Sequence, residues 1–232
     1  GQRLLNHLQQ VRQMEAALGL EATSVTTLRL AVNADSLATW LPQALVLPDY
    51  PQLCFDFVVE DQSVGLKRMK QGDVMACLCA SSQPVNGAKV QALGALRYRA
   101  VASPDFIHRH FAEGVSAPAL ARAPAIVFGP DDQLQHRYLA ALGVGSGFVH
   151  HLCPSSEGFI RLTEAGLGWG LVPELQVRDQ LQRGVLRELL PDKPIDVPLY
   201  WHHWRNGGQL LGLLTEQLLR SSAQWLVPWK QP

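Results

Sequence analysis

Two serines beside a carboxylate are the residues of this chain that come closest to a catalytic arrangement. In the segment PSSEGF, Ser155 and Ser156 precede Glu157. A serine nucleophile needs a base and an oxyanion hole, but the chain contains no G-x-S-x-G motif. Glu157 lies at the start of a predicted helix, where it is better placed to interact with the helix dipole than to abstract a proton. We therefore expect no catalytic residue and no enzymatic activity.

Histidine and cysteine side chains are the next candidates, since they are common metal ligands. His150 and His151 lie close to Cys153, and His202 is followed by His203. Adjacent residues of a strand point to opposite faces, so neither histidine pair can chelate a metal from one side. The spacings typical of zinc sites are also absent. We expect packed or exposed histidines, no metal site and no cofactor.

Composition limits the partners of the chain. Its 232 residues include 20 basic and 20 acidic ones, so the formal charge of zero offers no bulk attraction to nucleic acid or to an anionic membrane. Any DNA-binding part is therefore expected outside this chain. The four cysteines form no C-x-x-C pair, which favours a reduced, cytoplasmic protein. No apolar run approaches the roughly 20 residues that span a bilayer, and the first residues are too polar for a secretory signal.

Two successive series of strands and helices must position these residues. The first series contains the apolar strands TTLRLAV, QLCFDFVVED and DVMACLCA, separated by the predicted helices NADSLATWLPQAL and QSVGLKRMKQG. Asp35 or Ser36 is the expected cap of the first of these helices. In the second series, Asp131 or Asp132 is expected at the N-terminus of the helix PDDQLQHRYLAALG. Near-continuous apolar strands are typical of parallel sheets covered on both faces. The order predicts an α/β fold with two Rossmann-like lobes.

Four loops follow the carboxyl ends of predicted strands, which is where open α/β sheets bind ligands. If the lobes face each other, residues 33–36 and 60–63 of the first lobe and 128–132 and 154–157 of the second would line a cleft. Hydroxyl and free N–H groups suit a carboxylate, and aspartates suit a cation. A basic amino acid would satisfy both. The alternative that these residues only cap helices remains open, because Asp and Ser are preferred caps.

The chain resembles a known family in several segments. LRLAVNADSLATWLP, GDVMACLCA, LRYRAVASPDF, AIVFGPDDQLQHRYL and PSSEGFIRLTEAGLGWGLVPE are similar, in this order, to the effector-binding domain of LysR-type transcriptional regulators. Within that family, VNADSLATWLP, VVEDQ, FGPDDQ and SSEGF most resemble the ArgP/LysG branch, also called chromosome initiation inhibitor. That branch senses lysine and arginine and controls basic amino-acid export.

The resemblance implies an architecture and a set of partners. The expected fold is periplasmic-binding-protein type II-like, with two lobes joined by two crossing strands. A linker helix at 1–21 would precede lobe I, made of residues 22–98 and 201–232, and residues 99–200 would form lobe II. A winged helix-turn-helix domain that contacts promoter DNA is expected outside this chain. The family also implies a homodimer through these domains and a tetramer at full length.

The resemblance further implies which residues contact the effector. They are Asp35, Ser36, Asp61, Gln62, Ser63, Phe128, Asp131, Asp132, Ser155, Ser156 and Glu157. The function that follows is effector sensing for transcription control. The main alternative is an extracytoplasmic solute-binding protein of a transporter, which has the same two-lobe plan. The linker-like first helix and the unpaired cysteines favour the regulator.

Overall fold

The computed structural model describes residues 25–59, 65–145 and 147–229. The linker helix expected at 1–21 and the candidate ligand residues Asp61, Gln62 and Ser63 lie outside these ranges. The chain divides into two compact units. The first contains the described residues up to Leu96 and from Pro198 onward, and the second is Arg97–Val197.

Nine helices and nine strands are found in the described residues. In chain order they are β1 (Thr26–Val32), α1 (Ala34–Ala38), α2 (Leu41–Ala44), β2 (Leu53–Val59), α3 (Gly65–Lys70), β3 (Ala76–Cys79), β4 (Ala88–Ala102), α4 (Pro104–His110), α5 (Ala117–Arg122), β5 (Ala125–Val127), α6 (Leu134–Ala141), β6 (His150–Leu152), α7 (Ser156–Glu164), β7 (Gly170–Pro173), α8 (Glu174–Gln182), β8 (Arg187–Glu188), β9 (Ile195–Trp204) and α9 (Gly208–Trp225). No helix among them is long and apolar enough to cross a membrane.

The first unit is built on β1, which pairs in parallel with β2 on one side and with β3 on the other. β9 continues this sheet antiparallel to β3, and β4 follows β9 in the strand order. Leu28 and Leu30 of β1 are fully buried, as expected for a central strand. β4 and β9 each pass from one unit into the other, so two strands cross, as the resemblance implies.

The second unit contains a two-stranded parallel sheet of β5 and β6, while β7 and β8 pair antiparallel with β4. Its core packs Val101, Ile126, Phe159, Val172 and Leu186 together. Gly170 of β7 lies directly against the ring of Phe159, because a Cβ at this position would overlap that ring. Gly170 therefore allows α7 to pack closely on β7.

The predicted helix NADSLATWLPQAL is divided into α1 and α2. Pro42 has no N–H to donate to the carbonyl group of Ala38, so a continuous helix would lose this hydrogen bond. The predicted cap of α1 is also wrong, whereas Asp132 does lie at the N-terminus of α6, where it accepts a hydrogen bond from the N–H of Leu134 at 2.9 Å. Asn33 is the N-cap residue of α1, and Gln133 is that of α6. Residue type indicated a cap nearby, but the position of the first helical residue depends on where the chain turns out of the preceding strand.

Candidate functional site

The first candidate edge lies at the carboxyl ends of β1 and β2. Val32 and Val59, the last residues of these parallel strands, are register partners. Residues 33–36 therefore leave the sheet at the edge where α/β proteins bind ligands. The backbone carbonyl group of Asn33 accepts a hydrogen bond from the N–H of Leu37 at 3.2 Å, which starts α1.

Two predicted ligand residues of this edge differ in their surroundings. Asp35 is half-buried in the first turn of α1. Ser36 is fully buried, and its hydroxyl oxygen accepts a hydrogen bond from the indole N–H of Trp40 at 3.1 Å. The Ser36 side chain thus anchors α1 to the core of the first unit. This local role was not apparent from the sequence, in which Ser36 is one of several polar residues of the loop.

The second candidate edge lies at the carboxyl ends of β5 and β6. Val127 pairs with Leu152, and the N–H of Cys153 donates to the carbonyl oxygen of Val127 at 2.9 Å. Because the two strands are parallel neighbours, the segments 128–132 and 153–157 leave the sheet side by side. The structure therefore brings together six predicted ligand residues at one edge: Phe128, Asp131, Asp132, Ser155, Ser156 and Glu157.

The two aspartates at this edge have different roles in the loop. The Asp132 carboxylate accepts hydrogen bonds from the backbone N–H of Leu134 at 2.9 Å and from that of Phe128 at 3.3 Å. Asp132 therefore holds the loop between β5 and α6 in shape. Asp131 is exposed and has no ion pair or side-chain hydrogen bond within the described ranges. Its carboxylate is the one that is open to a cation.

The serine segment forms the N-terminus of α7. Ser155 is the N-cap residue, and its hydroxyl oxygen accepts a hydrogen bond from the N–H of Gly158 at 3.1 Å. Its own O–H remains able to donate. Glu157 is highly exposed and lies 3.8 Å from the guanidinium group of Arg161, one turn further along α7. The contact that the structure describes for the Ser155 hydroxyl is therefore with the backbone of α7.

Ion pairs that the sequence did not indicate lie on the crossing strands within the second unit. Arg97 of β4 forms two parallel hydrogen bonds of 2.8 Å with the carboxylate of Asp196 in β9. The hydrogen bond to Asp196 raises the pKa of Arg97. Arg99 donates to Glu174 at 2.8 Å and to Glu188 at 3.1 Å. These partners are 75 to 99 residues apart, so no local sequence pattern signals them.

The part of the chain that the structure describes contains no group of three or more His, Cys, Asp or Glu residues that could hold a metal ion. His150 and His151 are both exposed on β6, whereas His202 and His203 are buried in β9. The four cysteines are free thiols, and Cys77 and Cys79 are buried.

Comparison with known proteins gives the family. A family model of the LysR substrate binding domain matches residues 21–222. The chain belongs to this family. The LysR domain is 69% identical over 237 residues to the HTH-type transcriptional regulator ArgP of Pseudomonas fluorescens Pf0-1, covering 98% of this chain and 79% of that protein. It is 60% identical over 236 residues to ArgP of Pseudomonas aeruginosa PAO1, covering 98% and 78% respectively.

Solved structures agree with this assignment of the LysR domain. ArgP from Mycobacterium tuberculosis matches with a TM-score of 0.88 and 30% identity, over 99% of this chain and 79% of that one. Full-length LysG from Corynebacterium glutamicum with bound effector Arg matches with a TM-score of 0.81 and 30% identity, over 98% of this chain and 79% of that one. The predicted family, its ArgP/LysG-like branch and the α/β fold are confirmed. The relatives are transcriptional regulators, which favours that class over a transporter component or an enzyme.

Proposed function

We propose that this LysR domain senses lysine or arginine in the cytoplasm and thereby controls transcription, including that of basic amino-acid export, without catalysing a reaction. The observation that carries the proposal is the exposed, unpaired carboxylate of Asp131, which follows β5 at the same sheet edge where β6 leads to the hydroxyl-bearing N-terminus of α7. A basic amino acid presents a cation and a carboxylate, and both find complementary groups at this edge. The similarity to LysG, whose structure contains bound Arg, supports the same ligand class.

The two ends of the ligand are assigned to different groups. Asp131 binds the side-chain ammonium or guanidinium group, and Asp132 keeps the loop in place through its two backbone hydrogen bonds. Ser155 donates its hydroxyl hydrogen to the ligand carboxylate, which is also favoured by the positive end of the α7 dipole. The remaining proposed contacts are Asp35, Ser36, Asp61, Gln62, Ser63, Phe128, Ser156 and Glu157.

Binding must change the population of two states to regulate transcription. A ligand shifts such an equilibrium only through its different affinities for the two states. We propose that the states are different arrangements of a homodimer, or of a tetramer at full length. The arrangement then sets the spacing of the winged helix-turn-helix domains of the regulator on promoter DNA.

Titration calorimetry with arginine, lysine, citrulline and glutamate tests the ligand class. The side chain of citrulline has nearly the shape of the arginine side chain but carries no charge. Comparison of the two ligands therefore isolates the contribution of the side-chain cation. We expect arginine or lysine to bind and citrulline and glutamate to bind far more weakly. If neither basic amino acid binds the unmodified protein, the proposed function is wrong.

The variant Asp131→Asn tests the cation site. We expect it to lower arginine affinity roughly 10- to 100-fold, since a hydrogen bond to a charged group contributes about 1.5–3 kcal/mol. Citrulline affinity should not change. Asp192→Asn, at an exposed turn after β8, is the matched control and should leave both affinities unchanged. Unaltered arginine binding by Asp131→Asn would show that another group holds the cation.

A further inference from the structure

A group of basic side chains lies on the surface of the first unit, although the whole chain has a formal charge of zero. Three of them come from α3, where Lys67, Arg68 and Lys70 are all exposed. Lys89 is the second residue of β4, and Arg205 follows the last residue of β9. Both of these side chains are exposed as well. We call these five residues the basic patch.

Apolar packing in the first unit brings the patch together. Met69 of α3 and Ala88 of β4 are buried in one apolar cluster, and Trp204 of β9 packs against it. Each of these three residues is next to a basic residue in the chain. The indole N–H of Trp204 donates to the carbonyl oxygen of Val74 at 3.2 Å, which ties the end of β9 to the segment after α3. The patch is therefore assembled from three distant segments of the chain.

Hydrogen bonds place Arg205 beside the start of β4. Its backbone N–H donates to the carbonyl oxygen of Gly87 at 3.1 Å, and its side-chain Nε donates to that of Ala88 at 3.4 Å. A guanidinium group has five N–H donors, so others remain for a partner outside the chain.

The charge of this surface is strongly one-sided. The segments 65–75, 86–89 and 204–207 contain five basic residues and one acidic residue, which gives them a net charge of +4. The acidic residue is Asp73, which pairs with Arg68 at 3.8 Å. The zero charge of the whole chain thus conceals a local positive surface, which a neighbouring anion would experience at short range.

The character of the basic patch indicates a phosphate backbone as its partner. Protein–protein interfaces have an apolar core that is depleted of charged residues, but the large hydrophobic side chains found exposed in the described residues all lie outside these three segments. Protein–DNA interfaces are more polar and much more positively charged. Gln71, Asn86 and Asn206 are exposed in the same segments, and their amide groups can donate to phosphate oxygens as Lys and Arg do.

We propose that the basic patch contacts the sugar–phosphate backbone of double-stranded DNA next to the site that the regulator reads. Such contacts fix position and orientation and carry no sequence information of their own. The inference rests on membership of the LysR family and on relatives that are HTH-type transcriptional regulators. It does not depend on the identity of the effector.

A weak contact of this kind matters when the domain is already held near DNA. Tethering by a second binding module gives an effective concentration on the order of millimolar, so even low affinity leads to occupancy. An arrangement of the regulator that brings the patch to DNA gains these contacts, and one that holds it away does not. The patch therefore adds to the difference in DNA affinity between the arrangements.

Fluorescence anisotropy with a labelled, random-sequence DNA duplex tests the proposal on this LysR domain. Each neutralised phosphate contributes about −0.9 to the slope of log affinity against log salt concentration. With about four phosphates neutralised, we expect a slope of about −3.6, which is an affinity loss of roughly 100-fold between about 50 and 200 mM salt. No measurable binding at the lower salt concentration would overturn the proposal.

The double variant Lys67→Gln/Lys70→Gln assigns this binding to the patch. It should reduce the slope by about 2 and weaken binding to every duplex sequence. Arg183→Gln/Lys193→Gln removes two exposed positive charges in the second unit and is the matched control, which should leave the slope unchanged. Equal slopes for the two double variants would show that the patch is not the contact.

Two further results separate DNA from other partners and binding from misfolding. Poly-glutamate offers negative charge without a phosphate backbone, and it should bind more weakly than the duplex at the same salt concentration. Tighter binding of poly-glutamate would assign the patch to an acidic protein and contradict the proposal. Both double variants should melt at the temperature of the unmodified domain, since exposed substitutions of this kind change stability little.

Lysine acetylation locates the contact without any variant. Brief treatment with acetic anhydride, followed by peptide mass spectrometry, compares the unmodified domain with and without the duplex. Lys67, Lys70 and Lys89 should be protected by DNA, whereas Lys193 should react equally in both samples. Equal protection of Lys193, or none at the patch, would refute the inference. Either outcome leaves the calorimetry with arginine and lysine unaffected, so the proposed function stands or falls separately.

Discussion

The substitution Gly170→Ala should show how closely α7 packs on β7 in the second unit. A Cβ at this position would lie 2.8 Å from Cζ of Phe159 and still closer to Cε1, whereas carbon atoms in contact are about 3.5–4.0 Å apart. Phe159 is itself buried among core side chains. The ring must therefore shift by about 1 Å in an interior that has little free space. Overpacking of this kind costs about 1–3 kcal/mol.

Thermal unfolding measures this cost. For a chain of this length, 1 kcal/mol corresponds to roughly 2–4 °C in Tm, so Gly170→Ala should melt roughly 2–12 °C lower. Gly212→Ala is the matched control. Gly212 is exposed in α9, and a Cβ there meets nothing within 4 Å. Because alanine favours the helix by about 0.8–1 kcal/mol over glycine, the same substitution should raise Tm there.

A double-mutant cycle with Phe159→Leu identifies the cause. The smaller side chain makes room for the new methyl group, so Gly170→Ala should be less harmful in its presence. We expect the double variant to be more stable than the sum of the single effects by about 0.5–3 kcal/mol. Additive effects, or a Gly170→Ala variant as stable as the unmodified protein, would show that the contact with the ring does not limit packing.

Three further predictions concern single side chains. Ser155→Ala removes the N-cap of α7 and should lower the free energy of unfolding in urea by about 1 kcal/mol; an unchanged midpoint would show that the cap contributes nothing. Burial raises the pKa of Tyr138 to about 12, whereas unfolded tyrosine titrates near pH 10. Its contribution to stability is therefore complete below about pH 10 and falls by at most roughly 3 kcal/mol by pH 12, a decline that Tyr138→Phe should reduce; identical pH profiles would contradict this. A hydrogen bond with Cys79, together with burial, raises the pKa of the Cys77 thiol, so brief alkylation followed by peptide mass spectrometry should label exposed Cys54 and leave Cys77 unmodified until the protein unfolds. Rapid native labelling of Cys77 would argue against its burial.

Local patterns predicted the order of strands and helices because apolar runs and helix periodicity are properties of neighbouring residues. β1, β2 and β3 lie where their apolar runs are, and α7 follows the serine segment. Helix boundaries were less predictable. Asn33, and not Asp35 or Ser36, occupies the N-cap position of α1, since the turn out of β1 decides which residue comes first.

The candidate ligand residues were also predictable only in part. The sequence identified polar loops after strands, and the parallel pairing of β5 with β6 brings two of these loops to one edge. Residue type alone did not separate Asp131 from Asp132. The distinction comes from the backbone N–H groups of Phe128 and Leu134, which engage Asp132 and leave Asp131 open.

The sequence by itself determined the fold class, the family and the polar character of the loops, because each depends on residues close together in the chain. Only the tertiary structure decided which polar groups find partners. Arg97 donates to Asp196, which is almost a hundred residues away in the chain. The Ser36 hydroxyl accepts a hydrogen bond from Trp40, and the Asn33 amide is buried with no partner. Hydrogen bonding and burial depend on positions in space, and a linear pattern does not specify those positions.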